Sequence, residues 1–375
     1  MATFTEMIGS LVCLWAQFVL SDVHVLSPER IACDSRRVYR SHNNVDITFF
    51  QGKYYLAFRT APTHFPSRKA QIRIMHSSDL QEWTCDTSFC MGRDLREPRW
   101  LVWKGRLYLY FFAGSQSSWR FDSKGIIGAT QEGNGRWDTF QIGWAGWVPW
   151  RARAGDSVAY LSVYWGRDLY GLRHHSEVRL LCSTDGHSWH SLTPAPQLSL
   201  PHATETDFWI ESDGKLWAIT RSEGRGSYLS YASSPDSPWT SIALENKYDS
   251  PLLFGTPDGL YLIARRHLPG KADRAPRVLP AFIRRYWNLL LYSLSRKRTA
   301  LYRIDTLHHR VEWLMDIPGW GDTAFPAIYP SRGEEFIIAN YTNPLSGKDV
   351  WWLRGQLSRT VIYTARLRWV SGKGN

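Results

Sequence analysis

The sequence predicts an all-β protein, a six-bladed β-propeller with one helical insertion in its fifth blade. Three observations carry that expectation. Strand-length apolar runs joined by Gly- or Asp-containing turns begin near residue 45 and continue almost to the end of the chain. The stretch 204–239, TETDFWIESDGKLWAITRSEGRGSYLSYASSPDSPW, holds one complete unit. In it Phe208 to Ile210 meets an Asp213-Gly214 turn and returns as Leu216 to Thr220; Tyr228 to Ala232 follows, then a Ser-Pro-Asp turn closing on Trp239. Apolar runs joined by Asp-Gly are a strong hairpin signal. Trp83, Trp137, Trp189, Trp239 and Trp313 then recur at roughly fifty-residue spacing, a period typical of propellers. Such rings close on themselves and leave only short, protected sheet edges.

The units follow in order. They cover 45–60 with 72–84, 98–114 with 125–140, 151–166 with 178–192, then 204–239, 250–267 with 299–316, and 323–343 with 360–370. The sixth is one strand short, and Val23 to Cys33 is placed to supply an outer strand that latches the ring. Residues 1–33 therefore read as an N-terminal segment and 34–375 as the propeller. Within the segment, Ile8 to Leu20 reads as a short packed helix, with a cleaved or anchoring signal as the alternative. No Lys or Arg precedes it, Glu6 does, and no small-x-small cleavage site follows, which argues against a secretory signal. The run is too short to span a bilayer. A cytoplasmic chain is favoured slightly over a secreted or periplasmic one.

An insertion at about 272–298 interrupts the fifth unit. Its part 277–298, RVLPAFIRRYWNLLLYSLSRKR, has apolar positions at helical spacing and a basic tail. A basic amphipathic helix suits peripheral contact with a membrane surface, and it also suits packing on the propeller flank. The net charge of +11 over 375 residues fits an acidic partner. No Lys/Arg-rich run or recognised binding motif appears, which counts against nucleic acid. The five Cys lack metal spacing. Cys85 and Cys90 are near enough in sequence to pair, though nothing demands it.

Propeller geometry narrows the search for a site. The start of each inner strand and the end of its hairpin partner lie at one end of the barrel, around the channel where propellers bind ligands. Those positions are His42, Asn44, Asp46, Arg59 and His64 in the first unit, and Arg96, Glu97 and Arg99 in the second. The third supplies Arg151, Arg153 and Trp165; the fourth His202, Glu205, Asp207 and Arg221. The fifth supplies Asp249, Arg265, Arg266 and His267; the sixth Asp322, Tyr341 and Asn343. Ionisable residues from all six units converge on one rim. Such a rim suits glycoside cleavage, in which one carboxyl protonates the leaving oxygen and a second group attacks or activates water. Asp46, Glu97, Glu205 and Asp207 are the candidate acids. Clustered Arg binds a substrate carboxylate or phosphate bidentately, although Arg99 and Asp207 also suit buried ion pairs that tie blades together. The reaction calls for no metal and no cofactor.

SSDLQEW (77–83) and STDGHSW (183–189) resemble the Asp-box of the sialidase superfamily, a structural turn. ETDFWIESDGKLWAITR (205–221), SPLLFGTPDGLYLIARR (250–266) and DTAFPAIYPSRGEEFIIANY (322–341) are similar to successive repeats of that family. The resemblance implies that Glu205 assists the nucleophile, that Arg221 with Arg265 or Arg266 binds a substrate carboxylate, and that Tyr341 is the nucleophile. Where sialidases carry Arg-Ile-Pro before the first inner strand, this chain has YRSHNNVD, with Arg40 nearby. Asp46 and the Arg-Glu-Pro at 96–98 resemble instead the five-bladed arabinanase- and fructosidase-like hydrolases, against which six units count. The expectation is a glycoside hydrolase for an anionic or highly hydroxylated glycan. Its rival is a non-catalytic, lectin-like or scaffold propeller.

If Trp189 plugs one repeat, Trp189→Ala lowers stability by about 3–5 kcal/mol, as large-to-small core changes do. Chemical denaturation measures this; an unchanged midpoint contradicts the repeat assignment.

Overall fold

The alternating runs and turns fold into six antiparallel sheets of four strands. The computed structural model describes residues 17–26, 31, 33, 39–114, 123–131, 135–167, 176–331 and 333–370. β1 (Gln17–Val25) stands apart from the meanders that follow. The first meander is β2 (Ser41–Phe50), β3 (Lys53–Ala61), β4 (Gln71–Ser77) and β5 (Thr84–Phe89). The second is β6 (Leu95–Trp103), β7 (Arg106–Gly114), β8 (Ser123–Gln131) and β9 (Trp137–Gly143). Next come β10 (Trp147–Ala154), β11 (Ala159–Trp165), β12 (Val178–Ser183) and β13 (His190–Ser191). They are followed by β14 (Ala203–Ile210), β15 (Leu216–Ser222), β16 (Tyr228–Ala232) and β17 (Thr240–Ala243). Another sheet holds β18 (Tyr248–Thr256), β19 (Gly259–His267), β20 (Lys297–Asp305) and β21 (Arg310–Trp320), with α1 (Ala281–Ser293) between β19 and β20. The last runs β22 (Ala327–Pro330), β23 (Glu335–Thr342), β24 (Val361–Val370), then β1, with α2 (Trp352–Leu357) between β23 and β24.

The first strands β2, β6, β10, β14 and β18 pack in succession, and β22 returns to β2. They are buried almost end to end, as strands sandwiched between neighbouring sheets are. The ring is closed by both chain ends, since β1 pairs with β24 from Gln17↔Val370 to Val25↔Tyr363. The outer strand thus lies ahead of the expected Val23 to Cys33. It also takes in the end of the run expected as a helix, Ile8 to Leu20, the rest of which lies outside the described residues. The residue pattern explains the strand. Phe18 and Leu20 turn onto the core while Val19 and Ser21 face outward, a period of two rather than 3.6.

Cys33 is bonded to Cys85, with Cα atoms 5.4 Å apart, and Cys90 is an exposed thiol. Cys85 lies in the extended strand β5 and Cys90 just past its end. Five extended residues span about 17 Å, beyond the reach of a disulfide. Among the described residues no helix is long and apolar enough to cross a membrane.

Two turns repeat atom for atom at the end of the barrel away from the channel rim. Ser77 Oγ donates to Asp79 at 3.0 Å, and Asp79 Oδ1 accepts the N–H groups of Gln81 and Glu82 at 2.8 and 2.9 Å. Ser183 and Asp185 do the same, with His187 and Ser188 donating at 2.7 Å each. Trp83 and Trp189 close the turns by donating to Leu80 O and Gly186 O. Gly186 has φ +77°, and Leu80 adopts φ +68° in the copy that lacks glycine. The five Trp are otherwise not equivalent. Trp239 follows a related Ser234-Asp236 turn, Trp137 opens β9, and Trp313 is 52% exposed in β21 beneath the Arg266 guanidinium.

The Cys33–Cys85 bond closes a loop with a sequence separation of 52, worth about 4 kcal/mol in unfolded-chain entropy. Cys33→Ser therefore lowers the urea midpoint and raises the slope, because the unlinked unfolded chain exposes more surface. An equal midpoint for the variant and the oxidised parent would show that the bond does not hold the N-terminal segment.

Candidate functional site

The inner strands do not run straight into the channel. β2, β6, β10, β14 and β18 each carry a register shift near the start, at Asn43/Asp46, Arg96/Arg99, Pro149/Arg151, Ala203/Thr206 and Asp249/Leu252. A bulge of this kind inserts one residue and re-aims a side chain. Asn44, Glu97 and Ser250 accordingly hold φ of +52°, +56° and +52°, a conformation rare outside glycine. Pro98 and Pro251 sit beside the bulges, where no ladder hydrogen bond is lost.

Asn44, Glu97 and Glu205 thereby line a cavity of about 870 Å³. Its remaining wall comes from second-to-third-strand connections and strand ends on the same side. The β3–β4 loop gives His64 and Phe65, β15 ends in Arg221, and Glu223 follows. α1 contributes Leu289, Leu290, Tyr292 and Ser293, and α2 contributes Trp352, Leu353 and Gln356. Arg96, Arg265, Tyr164 and Phe325 complete it. α1 therefore lies over the channel mouth and not on the propeller flank. Tyr292 donates to the buried Asp249 carboxylate, which draws the helix inward.

The charges are closely paired. Arg221 meets three carboxylates: Glu205, Glu223 at 2.6 Å and Asp249 at 3.3 Å. Glu205 also accepts the Ser250 N–H at 2.8 Å. Arg96 donates to Asp94 at 2.5 Å and to His64 O at 2.7 Å. Arg265 donates to Thr323 O and Ala324 O at 2.7 and 2.9 Å. Glu97 is less firmly held, accepting from Asn44 at 3.1 Å and Arg99 at 3.2 Å. Burial pushes its carboxyl up to about 7, against the pull of Arg99 and with added repulsion from Glu205. Also in the cavity wall, His64 Nδ1 lies 2.6 Å from Asp322 Oδ2. Burial lowers the His64 pKa despite that carboxylate. A neutral ring donating Nδ1–H to Asp322 keeps Nε2 as a proton acceptor.

The other expected site residues lie elsewhere. Tyr341 is fully buried and its hydroxyl donates to Asp322 at 3.1 Å; burial raises its pKa well above the usual phenol value. It is not among the cavity-lining residues. Asp46, Arg99, Arg151, Arg153 and Asp207 form a tier below the cavity. Asp207 takes Arg151 at 3.1 Å, Arg153 at 2.9 Å and the Leu253 N–H at 2.8 Å. Asp46 accepts the Trp100 N–H at 2.8 Å and lies 3.6 Å from Arg151. Arg99 stacks on Trp150 at 4.5 Å. These groups tie β2, β6, β10, β14 and β18 to one another.

Arg59 is fully buried and shapes the β3–β4 loop through Thr63 O, Phe65 O and Asp94. His42 is buried against Phe58, its pKa lowered to about 3 chiefly by desolvation. Arg266 pairs with Asp316 at 2.8 Å, and Trp165 packs on Trp147 at 5.5 Å, both away from the cavity. Sequence reasoning did not single out Glu223, Tyr292, Trp352 and Phe325 as site residues. Glu223 lies two positions beyond Arg221, so strand alternation was the available signal. The two helices gave none, because nothing local says over which part of the ring they fold.

No protein family and no curated protein matches the chain in sequence. Solved structures do match it. A protein of unknown function from Dyadobacter fermentans aligns over 94% of this chain and 99% of its own, with TM-score 0.64 and 14% identity. Phage phi92 endosialidase covers 95% of this chain and 70% of its own, at TM-score 0.64 and 10% identity. Trypanosoma rangeli sialidase in complex with sialic acid covers 90% of this chain at TM-score 0.56 and 12% identity; this chain spans 55% of that enzyme. The fold is the six-bladed propeller of the sialidases.

Proposed function

We propose that the protein is a glycoside hydrolase, sialidase-like in architecture, that acts on a hydroxyl-rich glycan. The observation that carries this reading is the pair Glu97 and Glu205 in one cavity, in unlike environments. Glu97 is buried, with a raised pKa and two long hydrogen bonds, and can serve as an acid, while Glu205 is clamped by Arg221 and the Ser250 N–H. The Trypanosoma rangeli enzyme, which shares the fold and binds sialic acid, supports carbohydrate as the ligand. Arg96, Arg221 and Arg265 are committed to acids and carbonyls of the protein itself, which favours sugar hydroxyls over a substrate carboxylate. In this reading α1 is an insertion in the fifth blade counted from β2, and the turns at 77–83 and 183–189 are Asp-boxes with a structural role.

In the proposed step Glu97 gives its proton to the glycosidic oxygen as the bond to the anomeric carbon breaks. Glu205, held by Arg221 and Ser250, stabilises the positive charge that develops on the sugar. A water adds to the anomeric carbon and passes its proton to His64 Nε2; exchange with solvent then takes that proton from His64 and returns one to Glu97. The second reading, a carbohydrate-binding propeller without turnover, is favoured by the burial of Tyr341 and the Arg221 clamp on Glu205.

Because Glu97 must be protonated, activity declines as pH rises through about 7; it declines again on the acid side, where His64, its pKa lowered by burial, takes up a proton and can no longer act as base. Glu97→Gln removes the alkaline limb and slows turnover by about 10²–10⁴-fold while sugar binding persists. Glu205→Gln slows turnover by about 10²–10³-fold, because it removes the charge set against the developing cation. Asp207→Asn, below the cavity, instead costs about 3–5 kcal/mol of stability by leaving the buried Arg151 and the half-buried Arg153 short of a partner, with turnover per folded molecule kept. Chromogenic glycosides and a glycan array measure turnover and binding, and chemical denaturation of the same preparations measures the Asp207 effect. Saturable binding with no turnover in the parent protein selects the lectin reading; neither binding nor turnover removes carbohydrate altogether.

A further inference from the structure

α1 is amphipathic the wrong way round for a helix in water. Its buried face carries Arg285, Asn288 and Tyr292. Asn288 accepts the N–H groups of Arg274 and Ala275 at 3.0 and 2.9 Å, and donates to Gly224 O at 3.1 Å and Asp273 at 2.8 Å. At Gly224, φ +74°, a Cβ would lie 2.8 Å from Arg285 Cγ, so the helix sits directly on that turn. Polar contacts hold it down. Its outer face presents Phe282, Ile283, Tyr286, Trp287, Leu290 and Leu294, with Phe282 59% and Leu290 54% exposed. A surface helix normally does the reverse.

α2 extends the patch. Trp352 N donates to Ser295 O at 3.0 Å and the Trp352 ring meets Tyr292 at 5.5 Å. Beside them Trp351, Leu353 and Leu357 are exposed. Phe65 is exposed on the β3–β4 loop, another part of the cavity wall. A contiguous apolar face of this kind marks an interaction surface.

We infer that this face docks on an anionic lipid bilayer, so that the cavity mouth receives the carbohydrate headgroup of a membrane lipid. The headgroup half rests on the hydrolase reading; the docking half does not. Charge selects the occupant. Arg68, Lys69, Arg277 and Arg354 are exposed on the same loops and helices, while the nearby acids are paired, Asp273 with Arg284, Glu245 with Lys271, and Asp349 with Arg296 and Arg298. A second copy of the chain, docked by the same patch, would set these cations against each other. Anionic lipid attracts them, and exposed Trp and Tyr suit the headgroup layer.

The test uses the full chain and sedimenting vesicles of phosphatidylcholine, with and without phosphatidylglycerol. Pelleting with the anionic vesicles at low salt, weakened at high salt, is expected. Phe282→Glu with Trp287→Glu should abolish pelleting while melting temperature and any soluble-glycoside turnover stay at parent values. Arg277→Glu with Arg354→Glu, which spares the apolar face, should weaken anionic binding at least about tenfold. Vesicles doped with mixed glycosylceramides and gangliosides should bind more tightly than undoped ones of equal charge. Absence of pelleting, equal pelleting by the variants, or a parent dimer that dissociates in the Phe282/Trp287 variant overturns the docking. Docking with no gain from doping overturns only the headgroup; the carbohydrate reading is decided separately by soluble-glycoside turnover and glycan binding.

Discussion

Six inner strands that meet at one axis bring their charges into a volume where water cannot screen them. A buried charge without a partner is too costly to keep, and that constraint orders the channel. Asp207 answers two arginines and a backbone N–H; Arg221 answers three carboxylates. Each network joins residues from different sheets, so the same pairs that neutralise the channel hold the blades in register. Reactivity is left to the groups paired least completely. Glu97 has one amide and one guanidinium against full burial, and its proton is retained to near neutral pH.

The bulges make that arrangement possible. Without the extra residue, each inner strand would keep strict alternation and direct Glu97 into the space between sheets. The positive φ at Asn44, Glu97 and Ser250 is strain held where three sheets present their strand ends to the cavity. Beneath that layer the chain returns to regular pairing, as at Trp100↔Leu109 and Phe208↔Ala218. The cavity is therefore a property of the first few residues of the inner strands, with the remainder of each strand serving as wall and support.

Above the cavity the polarity is inverted. α1 satisfies buried polar groups of the rim with Asn288 and Tyr292 and exposes its apolar side. Helical period alone identified the amphipathic segment at 277–298 but says nothing of which side faces the protein. Hydrophobicity suggests the apolar face inward; the hydrogen-bonding needs of Gly224, Asp273 and Asp249 turned it outward.

The sequence by itself determined the architecture, because strand-length runs and turn chemistry are local. The Asp213-Gly214 hairpin, the paired Ser-Asp turns and the six-unit count need no distant contact to be read. It also named the ring of charged residues, since inner-strand starts can be counted. Which of those residues reach the cavity was decided only by the tertiary structure. Asp46 and Asp207 lie two positions beyond Asn44 and Glu205 on the same strands, and a bulge separates cavity from support by a single residue. Likewise Cys33 meets Cys85, and Phe18 meets Tyr261 at 4.9 Å, only because the chain's two ends share one sheet. Such contacts depend on closure of the whole ring, which no local stretch of sequence encodes.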